Sequence, residues 1–109
     1  MKLYLIERFN LLKLLAFKQQ GGLLEMMHIS NVRTKLSPTP EDEIKYDMKE
    51  EDGKTSWSMQ KDTGYEIELT EREKEVIKGV IKTLPTEIEI SQEESTLYLK
   101  FIDINELEA

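Results

Sequence analysis

The stretch YEIELTEREKEVIKGVIKTL, residues 65–84, carries the clearest structural pattern in this chain. Its first five residues alternate between apolar and acidic side chains, and a period of two predicts a half-buried β-strand. Thr70 comes next, with Glu73 three residues later. This spacing is a capping box, in which each side chain accepts a hydrogen bond from the other residue's backbone amide at the start of a helix. The stretch therefore predicts a strand that leads directly into a capped helix.

The helix predicted after Thr70 has one apolar face and ends near Leu84, because Pro85 cannot continue the hydrogen-bonded backbone. The apolar residues recur at intervals of three and four: Val76, Ile77, Val80, Ile81 and Leu84. Gly79 lies inside this helix, where glycine costs about 1 kcal/mol relative to alanine. Either the helix tolerates this cost, or another backbone approaches closely at Gly79.

The composition indicates one acidic domain over residues 1–109. The chain has 109 residues, a formal net charge of −7 and no cysteine. Because the acids are spread along the whole sequence, the charge belongs to the folded surface. Such a surface repels nucleic acid and anionic membranes and attracts basic protein surfaces. The lack of cysteine excludes disulfides and thiolate metal sites, and we expect a reducing, cytoplasmic location.

Residues 1–17 are apolar, but we expect neither a signal peptide nor a membrane span, because charged residues interrupt the stretch. We predict a helix over residues 3–17. Its apolar face includes Leu5, Phe9 and Leu12 and is widened by further leucines. So broad a face packs either inside the domain or against another chain. Leu5, Phe9 and Leu12 are therefore the candidate interface of a homo-oligomer.

A second helix is predicted over residues 23–36. Its apolar face repeats at helical spacing through Met26, Ile29, Val32 and Leu36. The segment that follows contains two prolines, which break the chain. Pro40 and the acids after it predict a short helix capped by Thr39 and finished by Asp47.

Residues 46–59 predict a β-hairpin, because Asp52-Gly53 is a strong tight-turn pair. Both arms are weakly apolar, so the hairpin stands at an edge or projects as a wing. We expect the strand over residues 65–69 to pair with it in a small antiparallel sheet. Trp57 either covers one face of the hairpin or is an exposed anchor for a partner. The candidate partner-binding residues are Glu50, Glu51, Asp52 and Trp57.

The C-terminal pattern fits two structures. Residues 87–90 and 96–101 alternate like the arms of a second hairpin. Ser91 and Glu94, however, have the spacing of another capping box, and we favour a helix over residues 92–103. Residues 105–109 are expected to fray. The whole chain predicts an α+β fold with an N-terminal helical pair, a small antiparallel sheet with a wing-like hairpin, and C-terminal helices.

Catalytic motifs are missing from the sequence. It has no phosphate-binding glycine loop, nucleophile elbow, HExxH motif or calcium loop. Acidic pairs such as Glu93-Glu94 lie in turn or cap contexts, where solvated carboxylates are the ordinary outcome. His28 is the single histidine and does not predict a zinc site alone. We therefore predict no enzyme activity, no cofactor and no metal.

The order of two helices, a short helix and a hairpin also suggests a winged-helix regulator that binds DNA. The charge pattern argues against nucleic acid as a partner. The second helix offers only Arg33 and Lys35 as bases, and the hairpin carries more acids than lysines. Salt-dependent DNA affinity needs several phosphate contacts.

Four segments resemble a group of short, uncharacterised bacteriophage and prophage proteins. They are RFNLLKLL at residues 8–15, the Gly53 to Trp57 hairpin, EIEL at residues 66–69 and LYLKF at residues 97–101. The chain departs from the group at Leu99, where the group has a charged residue. The resemblance implies a phage source and a helix over residues 92–103. It supplies no activity and no site residues.

Non-enzymatic binding is the function that these observations favour. We expect stoichiometric contact with a basic surface of a host protein, as an inhibitor of a host defence system such as a nuclease. The alternatives are a homo-oligomeric structural or virion-assembly factor, a small-molecule (nucleotide) sponge built at an oligomer interface, and the winged-helix regulator.

Overall fold

The computed structural model describes residues 1–85 and 88–103. These ranges form an α+β fold of five helices and two separate two-stranded antiparallel sheets, which confirms the predicted fold class. The helices are α1 (Leu5–Leu15), α2 (Leu23–Leu36), α3 (Pro40–Lys45), α4 (Glu71–Lys82) and α5 (Gln92–Tyr98). The strands are β1 (Lys2–Leu3), β2 (Lys49–Glu51), β3 (Lys54–Ser56) and β4 (Tyr65–Glu66).

The capping box before α4 forms as predicted. The Glu73 amide donates to the Thr70 hydroxyl at 3.1 Å, and the Thr70 amide donates to the Glu73 carboxylate at 2.8 Å. The helix ends at Lys82, two residues before the predicted limit. Its predicted apolar face turns inward, and its buried apolar members are Ile77, Val80 and Ile81.

The hydrophobic core lies where α1, α2 and α4 pack against one another, with α5 against α1. Each helix contributes apolar side chains from its inward face. They are Leu11, Leu14 and Leu15 of α1, Ile29, Val32 and Leu36 of α2, Ile77, Val80 and Ile81 of α4, and Leu97 and Tyr98 of α5. Leu3 and Ile67 extend the core toward the sheet formed by β1 and β4.

The predicted pairing of the 65–69 strand with the hairpin is wrong. β4 pairs instead with β1, with Lys2 opposite Glu66 and Leu3 opposite Tyr65. The extended start of the chain can bury Leu3 beside Ile67, whereas β2 and β3 are exposed at every position and offer no apolar face. The hairpin is therefore a sheet of its own.

The first helix is shorter than the predicted 3–17, and it turns a different set of side chains toward the core. It begins at Leu5, because the residues before it form β1. Leu5 is buried as predicted, but Phe9 and Leu12 are only half-buried. The buried face contains Arg8, whose side chain is 2% exposed. A charged residue can occupy this position because α2 and α3 supply hydrogen-bond acceptors for it.

Three buried carboxylates hold the helices together in the same way. Asp42, Glu73 and Glu94 each occupy the third position of a capped helix and accept the amide of the capping residue. Each also meets a cation from α1 or α2. The pairs are Asp42 with Arg8 at 3.2 Å, Glu73 with Lys35 at 2.6 Å, and Glu94 with Lys13 at 3.7 Å. A buried carboxylate needs such partners to remain charged.

The C-terminal segment is helical, as the second capping box predicts. The Glu94 amide donates to the Ser91 hydroxyl at 3.1 Å, and α5 continues to Tyr98. Backbone hydrogen bonds then continue as far as Ile102, so the regular helix is shorter than the predicted 92–103. Residues 88–90 form no strand. The strand predicted at Glu87 and the fraying predicted for residues 105–109 lie outside the described residues.

The three buried carboxylates make the fold sensitive to acid. Burial raises the pKa of each, but hydrogen bonds and the nearby cation outweigh it, so the pKa values of Asp42, Glu73 and Glu94 lie below their ordinary values. The folded state therefore binds these protons less tightly than the unfolded chain does. The stability they supply is complete above the unfolded-state values of 3.8 for Asp and 4.5 for Glu, and is lost as the pH falls through the lowered values.

We expect the Glu73→Gln variant to lose about 1–3 kcal/mol of unfolding free energy at neutral pH, because the Lys35 ammonium loses its carboxylate partner. Its stability should also fall less steeply on acidification than that of the wild type. Urea unfolding monitored by circular dichroism at several pH values measures both effects. Glu75→Gln, an exposed site on the same helix, is the matched control. An equal loss in both variants would contradict the role of Glu73.

The Gly79→Ala variant should be more stable than the wild type by about 0.5–1 kcal/mol. Among the residues that the structure describes, a Cβ atom at Gly79 would meet no atom outside its own helix backbone within 4 Å, so no other described backbone approaches there. The helix therefore tolerates this glycine at an energetic cost. Gly53→Ala is the opposing control, because Gly53 has a φ of +76° and alanine costs roughly 1–2 kcal/mol in that region. The midpoints of urea unfolding measure the stability of both variants. A Gly79→Ala variant that is no more stable than the wild type would refute the expectation.

Candidate protein-binding surface

The hairpin is held to the domain at its base. The Ser58 amide donates to the carbonyl of Tyr46 at 2.8 Å, and the Tyr46 side chain is buried. Trp57 follows β3 directly and is half-buried. Its ring centroid lies 5.3 Å from that of Phe9 on α1, with the planes tilted by 46°. This aromatic pair positions an otherwise fully exposed hairpin against the first helix.

A cleft of about 510 Å³ opens beside Trp57, between the start of α1, the segment after the hairpin, and α5. Apolar side chains give it most of its surface: Tyr4, Ile6, Trp57 and Met59. Tyr4 and Ile6 are more than two-fifths exposed, and Met59 is 81% exposed. Large apolar side chains grouped on a concave surface are typical of a binding site. We call this surface the Trp57 cleft.

Hydrogen bonds fix the walls of the Trp57 cleft. One Asp62 carboxylate oxygen accepts the amide of Leu5 at 2.9 Å, and the other accepts the amide of Gly64 at 3.3 Å. The first of these bonds satisfies an amide at the start of α1 that has no partner within the helix. Glu7 is paired with Lys100 at 2.8 Å, which joins α1 to the chain after α5. The walls of the cleft are therefore held by contacts within the protein itself.

Acidic side chains line the cleft beside Trp57 and also a second cleft beside Phe9. Among residues 1–85 and 88–103, Glu93 of the Trp57 cleft has no hydrogen-bond or ion-pair partner. The second cleft, of about 390 Å³, is lined by Phe9, Glu43 and Glu50. Trp57 and Phe9 thus line two different clefts, and each cleft has carboxylates among its lining residues.

The predicted hairpin acids lie where the turn predicts. Asp52 and Gly53 both have positive φ, 51° and 76°, which is the geometry of a type I′ turn. Glu50, Glu51 and Asp52 are exposed along the hairpin. Glu50 lines the second cleft, and none of the three lines the Trp57 cleft. Trp57 and Glu50 therefore line different clefts, and Glu51 and Asp52 line neither of them.

The residues predicted as an oligomer interface lie mostly inside the domain. Leu5 is 1% exposed, so it has no surface to offer a partner. Leu12 is half-buried and packs against the core. Phe9 is half-buried against Trp57. The structure does not join these three residues into an exposed patch.

Sequence reasoning missed Tyr4, Ile6 and Met59 as members of a site. Tyr4 and Ile6 lie within the predicted 3–17 helix, and Met59 is the last residue of the predicted 46–59 hairpin, but neither pattern marks them as exposed. A usable signal exists at Met59, because it follows Trp57 by two residues and therefore shares one side of an extended chain. Nothing in the sequence places α1 beside that side.

A third cleft, of about 440 Å³, lies between α2 and α4 and includes His28. Leu24, Val76 and Val80 provide its apolar surface, with charged residues around them. Among the residues that the structure describes, no three His, Cys, Asp or Glu side chains are grouped so that they could hold a metal ion. No helix in the described ranges has the length and apolar character needed to cross a membrane.

Comparison of the chain with models of known protein families, with curated proteins and with solved structures finds no match.

Proposed function

We propose that this protein acts by stoichiometric binding of another protein through the Trp57 cleft, without catalysis. The supporting observation is the cleft itself, in which four large apolar side chains remain accessible on a chain of net charge −7. The partner segment that fits this surface carries an apolar side chain for the cleft and basic residues for the acids around it.

Apolar contact and charge have separate roles in this binding. Burial of a partner side chain against Trp57 and Met59 provides affinity, as tryptophan commonly does at interface hot spots. The acids steer a basic partner toward the surface and increase the rate of association. In the described part of the chain, Glu50, Glu51 and Asp52 have no ion-pair partner, so their charges are available for this purpose.

The proposed partner class is supported by the acidic surface and by the resemblance to short phage proteins. A phage protein of this kind meets host proteins, and a host protein with a basic surface, such as the nucleic-acid-binding face of a defence nuclease, fits the acidic hairpin. Occupation of that face would inhibit the nuclease. The host partner and the inhibition both rest on this resemblance and on charge complementarity.

DNA binding is less well supported than protein binding. Of the two bases on α2 that such a function would use, Arg33 donates to the carbonyl of Leu15 at 3.1 Å. Lys35 donates to the Glu68 carbonyl and pairs with Glu73. Both are occupied within the domain, so they are poorly placed to neutralise several phosphates.

We expect a short peptide of alternating lysine and leucine to bind wild-type protein and to shift the NMR resonance of the Trp57 indole. Met59→Asp should weaken this binding by about tenfold, because a carboxylate replaces the apolar wall of the cleft. A peptide of alternating glutamate and leucine should not bind. Higher salt should weaken the binding of the lysine peptide, since salt partly screens its charges.

Ile44→Asp is the matched control for Met59→Asp. Ile44 is 83% exposed on α3 and lines none of the clefts described above, so the same chemical change occurs outside the proposed site. Both variants should fold. Equal weakening by the two variants, or resonance shifts that avoid Trp57, would reject the cleft as the binding surface. Met59→Asp and Ile44→Asp can then be compared with the wild type by the amount of host protein that each retains from a lysate.

Self-association is a second candidate function, and a different surface favours it. Leu23, Leu24 and Met27 lie in the first turns of α2, and Leu23 is 81% exposed. Residues four apart on a helix share a face, so Leu23 and Met27 form an apolar patch. A second copy of the chain could cover this patch in a homo-oligomer.

Light scattering over a range of concentrations tests this alternative. If the α2 patch joins two copies, the wild type should dimerise as concentration rises, and Leu23→Glu should be monomeric at all concentrations. Ile44→Glu removes an equally exposed apolar residue elsewhere and should dimerise like the wild type. A wild type that stays monomeric would eliminate self-association through α2.

A further inference from the structure

The Trp57 cleft carries a negative charge that its own lining does not balance. Three carboxylates and one ammonium line it: Glu7, Asp62, Glu93 and Lys100. Glu7 and Lys100 pair with each other at 2.8 Å, so their charges cancel. Two negative charges remain, on Asp62 and Glu93, and within the described residues neither has a cation as partner. An occupant of the cleft therefore binds more favourably if it carries a positive charge.

The Asp62 carboxylate is held in a fixed position in the cleft lining. Its two oxygens accept the amides of Leu5 and Gly64, at 2.9 and 3.3 Å. Both donors are neutral, and a carboxylate can accept more than two hydrogen bonds, so Asp62 can still accept one from an occupant. Within the described residues Glu93, which is exposed on α5, has no partner and can turn toward the same occupant. The cleft thus supplies one fixed acceptor and one adjustable acceptor.

Aromatic side chains give the cleft a second means of binding a cation. Trp57 and Tyr4 both line it, whereas Phe9, which packs against the Trp57 ring, lines a different cleft. The face of an aromatic ring attracts a cation, and tryptophan does so most strongly. Ile6 and Met59 add aliphatic surface to the same cleft. This combination of side chains fits a cation at the end of an apolar stem.

We infer that the Trp57 cleft binds an arginine side chain of the partner protein. This inference rests on the proposed function and narrows the partner to a segment with an arginine beside an apolar residue. Arginine and lysine both have apolar stems, but the guanidinium is planar, stacks on aromatic rings and is more weakly hydrated than an ammonium. Its five N–H groups suit a cleft with two carboxylates, Asp62 and Glu93. An ammonium loses more hydration when it enters such a cleft and has no planar face to stack.

Two peptides of alternating lysine and leucine test this inference, one of which has arginine in place of its central lysine. The peptides have the same charge, so the exposed acids of the protein steer both equally. We expect the arginine peptide to bind wild-type protein about tenfold more tightly in isothermal titration calorimetry, because the guanidinium adds ring stacking and paired hydrogen bonds in the cleft.

Glu93→Gln should remove most of this preference for arginine, because the variant loses one of the two unbalanced charges of the cleft. Glu93 is exposed, so the substitution should leave the fold intact. Glu89→Gln is the matched control, because Glu89 is also exposed and lines none of the clefts described above. The control variant should keep the full preference.

An NMR measurement on the wild-type protein tests the inference without any variant. The ring current of Trp57 should shift the Cδ proton resonances of the bound arginine upfield, and the central lysine of the other peptide should show no comparable shift. Equal affinity of the two peptides would overturn the arginine inference and leave the proposed protein binding in place. Equal effects of Glu93→Gln and Glu89→Gln, or arginine resonances that stay unshifted, would overturn it as well. Failure of both peptides to bind would reject the proposed function, and the inference with it.

Discussion

The fold depends on carboxylates that do two things at once. Asp42, Glu73 and Glu94 each cap the start of their own helix and pair with a cation from α1 or α2. A capping interaction alone stabilises a single helix, and an exposed ion pair alone contributes little. When one buried carboxylate does both, the direction of a helix start is coupled to the position of a neighbouring helix. Short helices such as α3 and α5 are held in place by this coupling.

Local patterns in the sequence predicted much of the secondary structure. The spacings Thr70 to Glu73 and Ser91 to Glu94 located the starts of α4 and α5, because a capping box lies entirely within four residues. Asp52-Gly53 located the hairpin turn for the same reason. The ion pairs that Glu73 and Glu94 form were not predictable. Their partners, Lys35 and Lys13, are distant in sequence, and no local rule selects them.

What the sequence could not predict are the contacts between distant segments. Arg8 looked like a residue that only interrupts an apolar stretch, and its burial depends on acceptors that α2 and α3 bring to it. The pairing of β1 with β4 joins the start of the chain to residue 66, and two residues carry no readable alternation. The candidate site was half predicted: Trp57 was identified, whereas Tyr4 and Ile6 join it only after α1 has been placed.

The hairpin has a consequence for how this protein could change over evolutionary time. Its strands bury no side chain, and it is joined to the domain at its base by Trp57 and a backbone hydrogen bond. Mutations along its arms therefore disturb folding little, while they alter the shape and charge shown to other molecules. Such an element can diverge rapidly in specificity as an opposing surface changes, and the three-helix scaffold beneath it can stay under strict selection for stability.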